Sequence, residues 1–387
     1  MARCLVERGH KVTMVCGSHL LSHTGLDSRF LNGQRRGVVN GIEVVELDLA
    51  YSNSDGLFKR LSVFLKYVFR ALILVFTEKY DLVFATTTPL TAGIPGIVAR
   101  WLRGKPFIFE VRDLWPELPK AMGVIKNPVV LYMMSILEWA SYHSANHLIA
   151  LSPGIAKGIQ KRGIDPESVT LIPNGCDLDI FDGRAEKWRP KGIKSSDLLV
   201  LFAGSHGPAN GLSSVLDAAA ELKLRGRHDI KFLLVGDGKL KPSLLSRALN
   251  ERLDNVLFHE PVDKMKLAGL MCATDLGLQI LTNIPAFYYG TSPNKFFDYI
   301  SAGLPVLNNY PGWLADMISE NNCGFCVPPE NASAFADALE KAANDRLALT
   351  LKGANAKRLA VENFDRKTQS STWVDVVELS FKKAEKD

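Results

Sequence analysis
Short runs rich in Val, Ile, Leu and Phe alternate along the chain with longer segments whose apolar residues return every three or four positions. That alternation predicts an α/β protein with parallel sheets, the runs being strands and the longer segments the helices that cross between them. In the first half the strands fall at 12–16, 42–47, 82–86, 107–111, 147–150 and 169–172, and the clearest helices at 57–77, 92–102, 128–144 and 153–161. Residues 182–197, DGRAEKWRPKGIKSSD, are polar, basic and turn-rich and read as a linker. The alternation then restarts, with strands at 198–203, 230–235, 256–259, 276–279, 305–307 and 324–327. From Ala332 the chain reads as helical, with Trp373 and Phe381 as anchors. Two α/β lobes on one linker predict a cleft between them, and open α/β sheets bind ligands beyond the carboxyl ends of their strands.

The start of the chain breaks the pattern. Cys4 and Leu5 read as the end of an apolar helix, Gly9-His10 as a turn, and the first strand follows. The first strand of an α/β domain is usually central, so an upstream strand and its loop are expected to be missing.

The stretch 291–308, TSPNKFFDYISAGLPVLN, holds the densest chemistry. Ser292 is a good helix N-cap, Pro293 suits the first helical position, and Phe296, Phe297, Ile300 and Leu304 form the apolar face. Gly303 and Pro305 end the helix. Its first turn offers unpaired N–H groups and a partial positive charge, a seat for phosphate, and Lys295 adds a full charge. Asp298 shares a face with Asn294 and Lys295, where a carboxylate can accept ribose hydroxyls. An ordinary capped helix with a solvated Lys and Asp fits this stretch equally well.

Other strand ends add to the picture. The strand at 199–203 runs into Gly204-Ser205-His206-Gly207-Pro-Ala-Asn210-Gly211, and that at 232–235 into Gly236-Asp237-Gly238-Lys239. Glycine there lets backbone approach a ligand closely, though neither turn is a P-loop or a GxGxxG fingerprint. In the first half, 107–111 runs into Arg112-Asp113-Leu-Trp115-Pro-Glu117, where Arg112 suits an anion and Trp115 a sugar ring. Asn174 lies in a further strand-end turn.

Composition changes little: 387 residues suggest two domains, and the net charge of +5 suits an anionic partner. No basic run with interleaved aromatics suggests nucleic acid. Six scattered cysteines read as reduced thiols, and Cys323-Gly-Phe-Cys326 lacks the second pair a zinc site needs. No Asp-x-Asp or His/Cys cluster is placed to hold Mg²⁺ or Zn²⁺, so neither metal nor cofactor is expected.

Five segments occur in an order and spacing that resemble glycosyltransferase family 4: HLIALSPGIAKGIQKRGIDPESVTLIPNGCDLDIF (147–181), LFAGSHGPANGL (201–212), LLVGDGKL (233–240), PNKFFDYISAGLPVL (293–307) and CGFCVPP (323–329). FEVRDLWPE (109–117) is similar to the branch that builds bacterial surface polysaccharides. The resemblance implies a GT-B fold with an acceptor lobe at 1–185, a nucleotide-sugar lobe at 186–369, and a final helix at 370–387 that crosses back. It implies retention of anomeric configuration without a bound metal and, for this branch, a UDP-linked donor. The donor residues it implies are Gly204, Ser205, Gly207, Asn210, Gly236, Asp237, Gly238, Ser292, Asn294, Phe296 and Asp298. Arg112, His206 (possible as imidazolium) and Lys295 would face the reacting phosphates, and Asp113, Trp115, Glu117 and Asn174 the acceptor side. Where many members carry a Glu eight residues before the helix carboxylate, this chain has Gly290; Ser205 and Asn210 replace a common Arg and Lys.

A polysaccharide or lipid-linked acceptor is the implied partner, in the cytoplasm or on the inner face of the membrane. The segment 57–77, LFKRLSVFLKYVFRALILVFT, is more apolar than a sheet-covering helix needs, while its charges rule out a spanning one. It suits either a membrane-surface contact or a crossover helix buried on two sides. A sugar-nucleotide epimerase of the same fold and an inactive nucleotide-sugar binder remain as alternatives.

Overall fold
The computed structural model describes residues 1–19, 24–51 and 56–384. The chain divides into two compact units, Met1–Pro173 with Lys367–Asp387, and Asn174–Arg366. This division falls ahead of the expected boundary at 185 because residues 174–181 are held by the second unit. The Cys176 N–H donates to the Phe364 carbonyl at 2.6 Å, and the Cys176 carbonyl accepts from Arg366 N at 3.1 Å. The polar stretch 182–197 is fastened there too. Trp188 Nε1 donates to the Lys266 carbonyl and Arg189 Nε to that of Ala273, both at 2.8 Å.

The first unit holds strands β1 (Thr13–His19), β2 (Gln34–Val39), β3 (Ile42–Tyr51), β4 (Val83–Thr86), β5 (Phe107–Val111), β6 (His147–Ala150) and β7 (Val169–Leu171). They form a β1-β3-β2 sheet and a parallel β4-β5-β6-β7 sheet. Strand β2, which the apolar pattern does not predict, runs antiparallel to β3 across Asn40-Gly41, both at positive φ (51° and 79°). Among the described residues β1 and β4 are edges of separate sheets, where the reading expects a further strand.

Every residue of β5 is buried, as a strand covered on both faces requires. A Cβ on Gly96 would lie 2.1 Å from the Phe107 ring, so only glycine lets the Gly93–Arg103 helix come this close. Asn127 caps the Pro128–Ser144 helix and Ser152 the Pro153–Gln160 helix, each with Pro at the first position. Residues of the last helix, Arg366–Ala384, complete this core: Trp373 meets Phe84 edge-on at 4.9 Å, and Asp375 pairs with Arg8 at 2.6 Å.

The second unit holds β8 (Leu198–Ala203), β9 (Ile230–Val235), β10 (Val256–His259), β11 (Leu276–Gln279), β12 (Val306–Asn308) and β13 (Gly324–Cys326). All pair in parallel in the order β10-β9-β8-β11-β12-β13. The order reverses at β8, so a crevice for ligand is expected where β8 ends. Gly277 on β11 sits against the Tyr299 ring, 2.5 Å from where its Cβ would be, which draws the Asn294–Ser301 helix close to the sheet.

Candidate active site
The turns after β8 and β9 interlock at that crevice. Gly204 N donates to the Val235 carbonyl at 3.0 Å, His206 N to the Asp237 carbonyl at 2.8 Å, and Leu240 N to the His206 carbonyl at 2.9 Å. Gly204, Gly236 and Gly238 have φ of 154°, 145° and 155°. A Cβ on Gly236 would stand 1.9 Å from the Gly204 carbonyl oxygen, and one on Gly238 2.8 Å from His206 backbone. Only glycine fits either position. Asn210 Nδ2 donates to the Ser205 carbonyl at 2.8 Å and closes the loop that contains Gly207. The Asp237 carboxylate folds onto its neighbour's N–H, accepting from Gly238 N at 2.8 Å.

Lys295 reaches into this corner. Its Nζ donates to Asn210 Oδ1 at 2.5 Å and stands 4.3 Å over the Phe202 ring, and its chain end borders Gly204. Among the described residues no carboxylate pairs with it. Burial lowers the Lys295 ammonium to about 7, so near neutrality its charge is held at a cost.

His206 lies in the same loop, but not as a cation. It is fully buried, neither ring nitrogen has a partner among the described residues, and Phe202 and Phe258 flank it at 6.1 Å. Burial, reinforced by the Lys241 ammonium, lowers it to about 4. Burial therefore favours the neutral imidazole at pH 7 in the ligand-free protein, which speaks against an imidazolium there. What His206 supplies is main-chain bonds to the neighbouring turn.

The helix start differs from expectation. The helix begins at Asn294, Pro293 is extended, and no side chain caps it. The Ser292 hydroxyl instead accepts from Asn174 N at 3.2 Å, and the Ser292 carbonyl accepts from Asn174 Nδ2 at 2.5 Å. Asn174 thus fixes the chain entering the helix. Phe296 is fully buried and meets Phe297 edge-on, so its side chain belongs to the core and offers nothing to a ligand. Asp298 parts from Lys295 in its partners: its Oδ1 lies 3.4 Å from Lys264 Nζ. Lys264 also binds Asp177, which binds Arg366. Burial raises the Asp298 carboxyl, against the pull of Lys264. Burial also pushes on Asp177, but Lys264 and Arg366 outweigh it and hold that carboxyl below its ordinary value. The chain's one Asp-x-Asp, Asp177-Leu178-Asp179, is thereby tied up at its first carboxylate. No cluster of three His, Cys, Asp or Glu able to hold a metal occurs among the described residues.

In the first unit, the loop after β5 is drawn inward. Arg112 N donates to Thr87 Oγ1 at 2.7 Å, and its guanidinium faces Glu110 at 3.4 Å. Asp113 accepts from Thr88 Oγ1 at 3.0 Å and is raised by burial. Trp115 packs on the core with its Nε1 buried and unpartnered among the described residues, so most of its ring is already engaged. Glu117 is exposed and opens the short Glu117–Ala121 helix.

Comparison with known proteins decides the family. Residues 1–175 match the glycosyl transferase 4-like domain, and residues 197–345 the glycosyl transferases group 1. The chain belongs to the family 4 glycosyltransferases. This glycosyltransferase is 22% identical over 304 residues to the probable glycosyltransferase WbjE of Pseudomonas aeruginosa, covering 75% of this chain and 73% of that one. It is 24% identical over 306 residues to a UDP-Gal:alpha-D-GlcNAc-diphosphoundecaprenol alpha-1,3-galactosyltransferase of Escherichia coli, covering 74% and 72%. The crystal structure of Anabaena HepE with UDP and glucose superposes with a TM-score of 0.64 at 19% identity, covering 88% of this chain and 87% of that one. The glycosyltransferase has the GT-B fold, two α/β lobes with parallel sheets. Beside Asp298 the structure gathers Lys264 and Arg366, which sequence reading passed over, and Asp177, which it had placed in a strand-end turn. Only Asp177 had a signal, its place in the Asn174-Gly-Cys-Asp turn.

Proposed function
We propose that this glycosyltransferase moves a sugar from a UDP-sugar to a polysaccharide or lipid-linked acceptor in the building of surface polysaccharide, with retention and without a metal ion. The observation that carries the donor reading is Lys295, a half-buried ammonium with no carboxylate partner among the described residues, beside glycine turns that no side chain can occupy. Holding such a charge out of water is unfavourable until an anion arrives. A diphosphate supplies that anion, with the unpaired N–H groups of the Asn294 helix beside it. The E. coli relative's name includes a UDP-sugar, and HepE is seen with UDP. As the sugar–phosphate bond breaks, Lys295 and the helix start stabilise the departing UDP, and its phosphate takes the proton of the acceptor hydroxyl attacking from the same face.

The test is product analysis with UDP-sugars, with and without acceptor, in EDTA. Transfer with retention, lost in Lys295→Ala, is expected. A donor altered without acceptor would make the protein an epimerase, and an untouched donor would make it a binder.

A further inference from the structure
Four charged side chains of the second unit alternate in sign beside the Asn294–Ser301 helix. Asp298 Oδ1 lies 3.4 Å from Lys264 Nζ, Lys264 binds Asp177 Oδ2, and Asp177 Oδ1 binds Arg366 Nε. Arg366 ends the row by donating to the Gly175 carbonyl at 2.6 Å. Each Asp177 oxygen thus has its own cation, whereas Asp298 has only Lys264 as an ion-pair partner among the described residues. That 3.4 Å contact is longer than the roughly 2.7–2.9 Å of a closed N⁺–H···O⁻ bond, so Asp298 keeps acceptor capacity. Both side chains reach solvent, Asp298 at 15% and Lys264 at 41% exposure.

Lys264 stands where local structure does not favour a cation. Asp263 caps the Lys264–Met271 helix, accepting from Lys266 N at 2.8 Å, and Lys264 is that helix's first residue. A cation there opposes the positive end of the helix dipole. The Asp177 and Asp298 carboxylates offset that cost, and the Phe181 ring lies 5.5 Å from Nζ. An ammonium has three N–H donors, so with Asp177 and Asp298 beside it one remains for a ligand. Two carboxylates and two cations also balance, so the row offers donors and acceptors without net charge. Lys295 is the opposite case, an ammonium with no carboxylate partner among the described residues. An anion suits Lys295, and a neutral hydroxylated group suits the row.

We propose that Lys264 is a second ribose ligand, its ammonium donating to a hydroxyl oxygen of the ribose whose hydroxyl protons the Asp298 carboxylate accepts. A hydroxyl both donates and accepts, and a carboxylate alone satisfies only the donating half. The cis-diol is then held by a donor and an acceptor together, while Asp177 and Arg366 fix the ammonium in place. This inference rests on the donor reading above and deepens it: preference for a ribonucleotide over a deoxyribonucleotide depends on Lys264 and not on Asp298 alone.

The test is calorimetry of the full chain with UDP, 2′-deoxy-UDP and 3′-deoxy-UDP. The wild type should bind UDP about tenfold or more tighter than either analogue, since each lacks a hydroxyl bonded to charged groups. Lys264→Met should shrink at least one of the two ratios by about threefold or more, because the deleted hydroxyl then has one partner fewer to lose. Lys266→Met removes the same charge from an exposed position two residues on and should leave both ratios unchanged. Melting curves matching the wild type confirm folding; if Lys264→Met melts early, Lys264→Gln, which keeps a neutral donor, carries the same comparison. Equal weakening of all three ligands in the Lys264 variants, or a Lys266→Met that shrinks the ratios as much, would reduce Lys264 to a distant charge and overturn the proposal. Those outcomes leave UDP binding intact and spare the donor reading, whereas a wild type that binds no UDP overturns both.

Discussion

Lys264 Nζ stands 3.4 Å from Asp298 Oδ1 and also binds Asp177, so the carboxylate proposed to receive a ribose already has a cation beside it. Asp298→Ala should weaken UDP binding by about 1–3 kcal/mol, the size of a lost charge-assisted hydrogen bond. Lys264→Met removes what opposes the burial of Asp298 and raises that carboxyl further. Its UDP affinity should therefore fall at a higher pH on acidification than the wild type's. Calorimetry across the acid range measures both, and unchanged affinity in Asp298→Ala would take this residue out of the site.

Lys295 makes donor binding pH-dependent in a defined direction. Its value falls from 10.5 to about 7 in the folded protein. Between those values the unfolded chain holds a proton the folded one has released, so stability rises with pH across that window. Lys295→Met should raise Tm more at about pH 6 than at about pH 10. A bound diphosphate reverses the bias, so UDP binding slightly alkaline of neutral should take up a proton. Calorimetry in two buffers of different ionisation enthalpy reads that uptake directly.

His206 should not titrate near neutrality. Lowered from 6.5 to about 4, it leaves the unfolded chain binding more protons across that interval, so stability falls as pH drops from 6.5 to about 4. Ring resonances that stay constant down to about pH 5 are expected. An imidazole titrating near 6.5 would return His206 to the list of candidate cations.

Two glycines should respond oppositely to substitution. Gly238→Ala forces a Cβ against the His206 backbone at φ 155° and should cost about 1–3 kcal/mol, together with UDP binding. At Gly290 nothing lies within 4 Å of an added Cβ, so Gly290→Glu should leave stability within about 0.5 kcal/mol. Thermal unfolding of the two variants checks the pair.

The legible parts of the sequence were those whose signal is local. Strands such as β5 and β8 are buried on both faces and appear as continuous apolar runs, and the glycines of the two turns mark backbone crowding that no other residue tolerates. Strand β2 has neither alternation nor an apolar run. Its one local mark was Asn40-Gly41, the dipeptide of a two-residue hairpin turn. Ser292 looked like a cap because cap chemistry is local, and Asn174, far away in sequence, claimed its hydroxyl instead. The Asp177–Lys264–Asp298–Arg366 cluster was illegible for the same reason. Its members are up to 189 residues apart, and no periodicity carries that information.

The interlocked turns after β8 and β9 have a consequence for dynamics. Each turn supplies the other's hydrogen-bond partners, so neither opens without releasing its neighbour's amides. The N–H groups of Gly204, His206 and Leu240 should then exchange with solvent deuterium as one cooperative unit, at a common opening free energy. A donor seated there would slow all three together, and exchange protection would report site occupancy in the absence of any turnover.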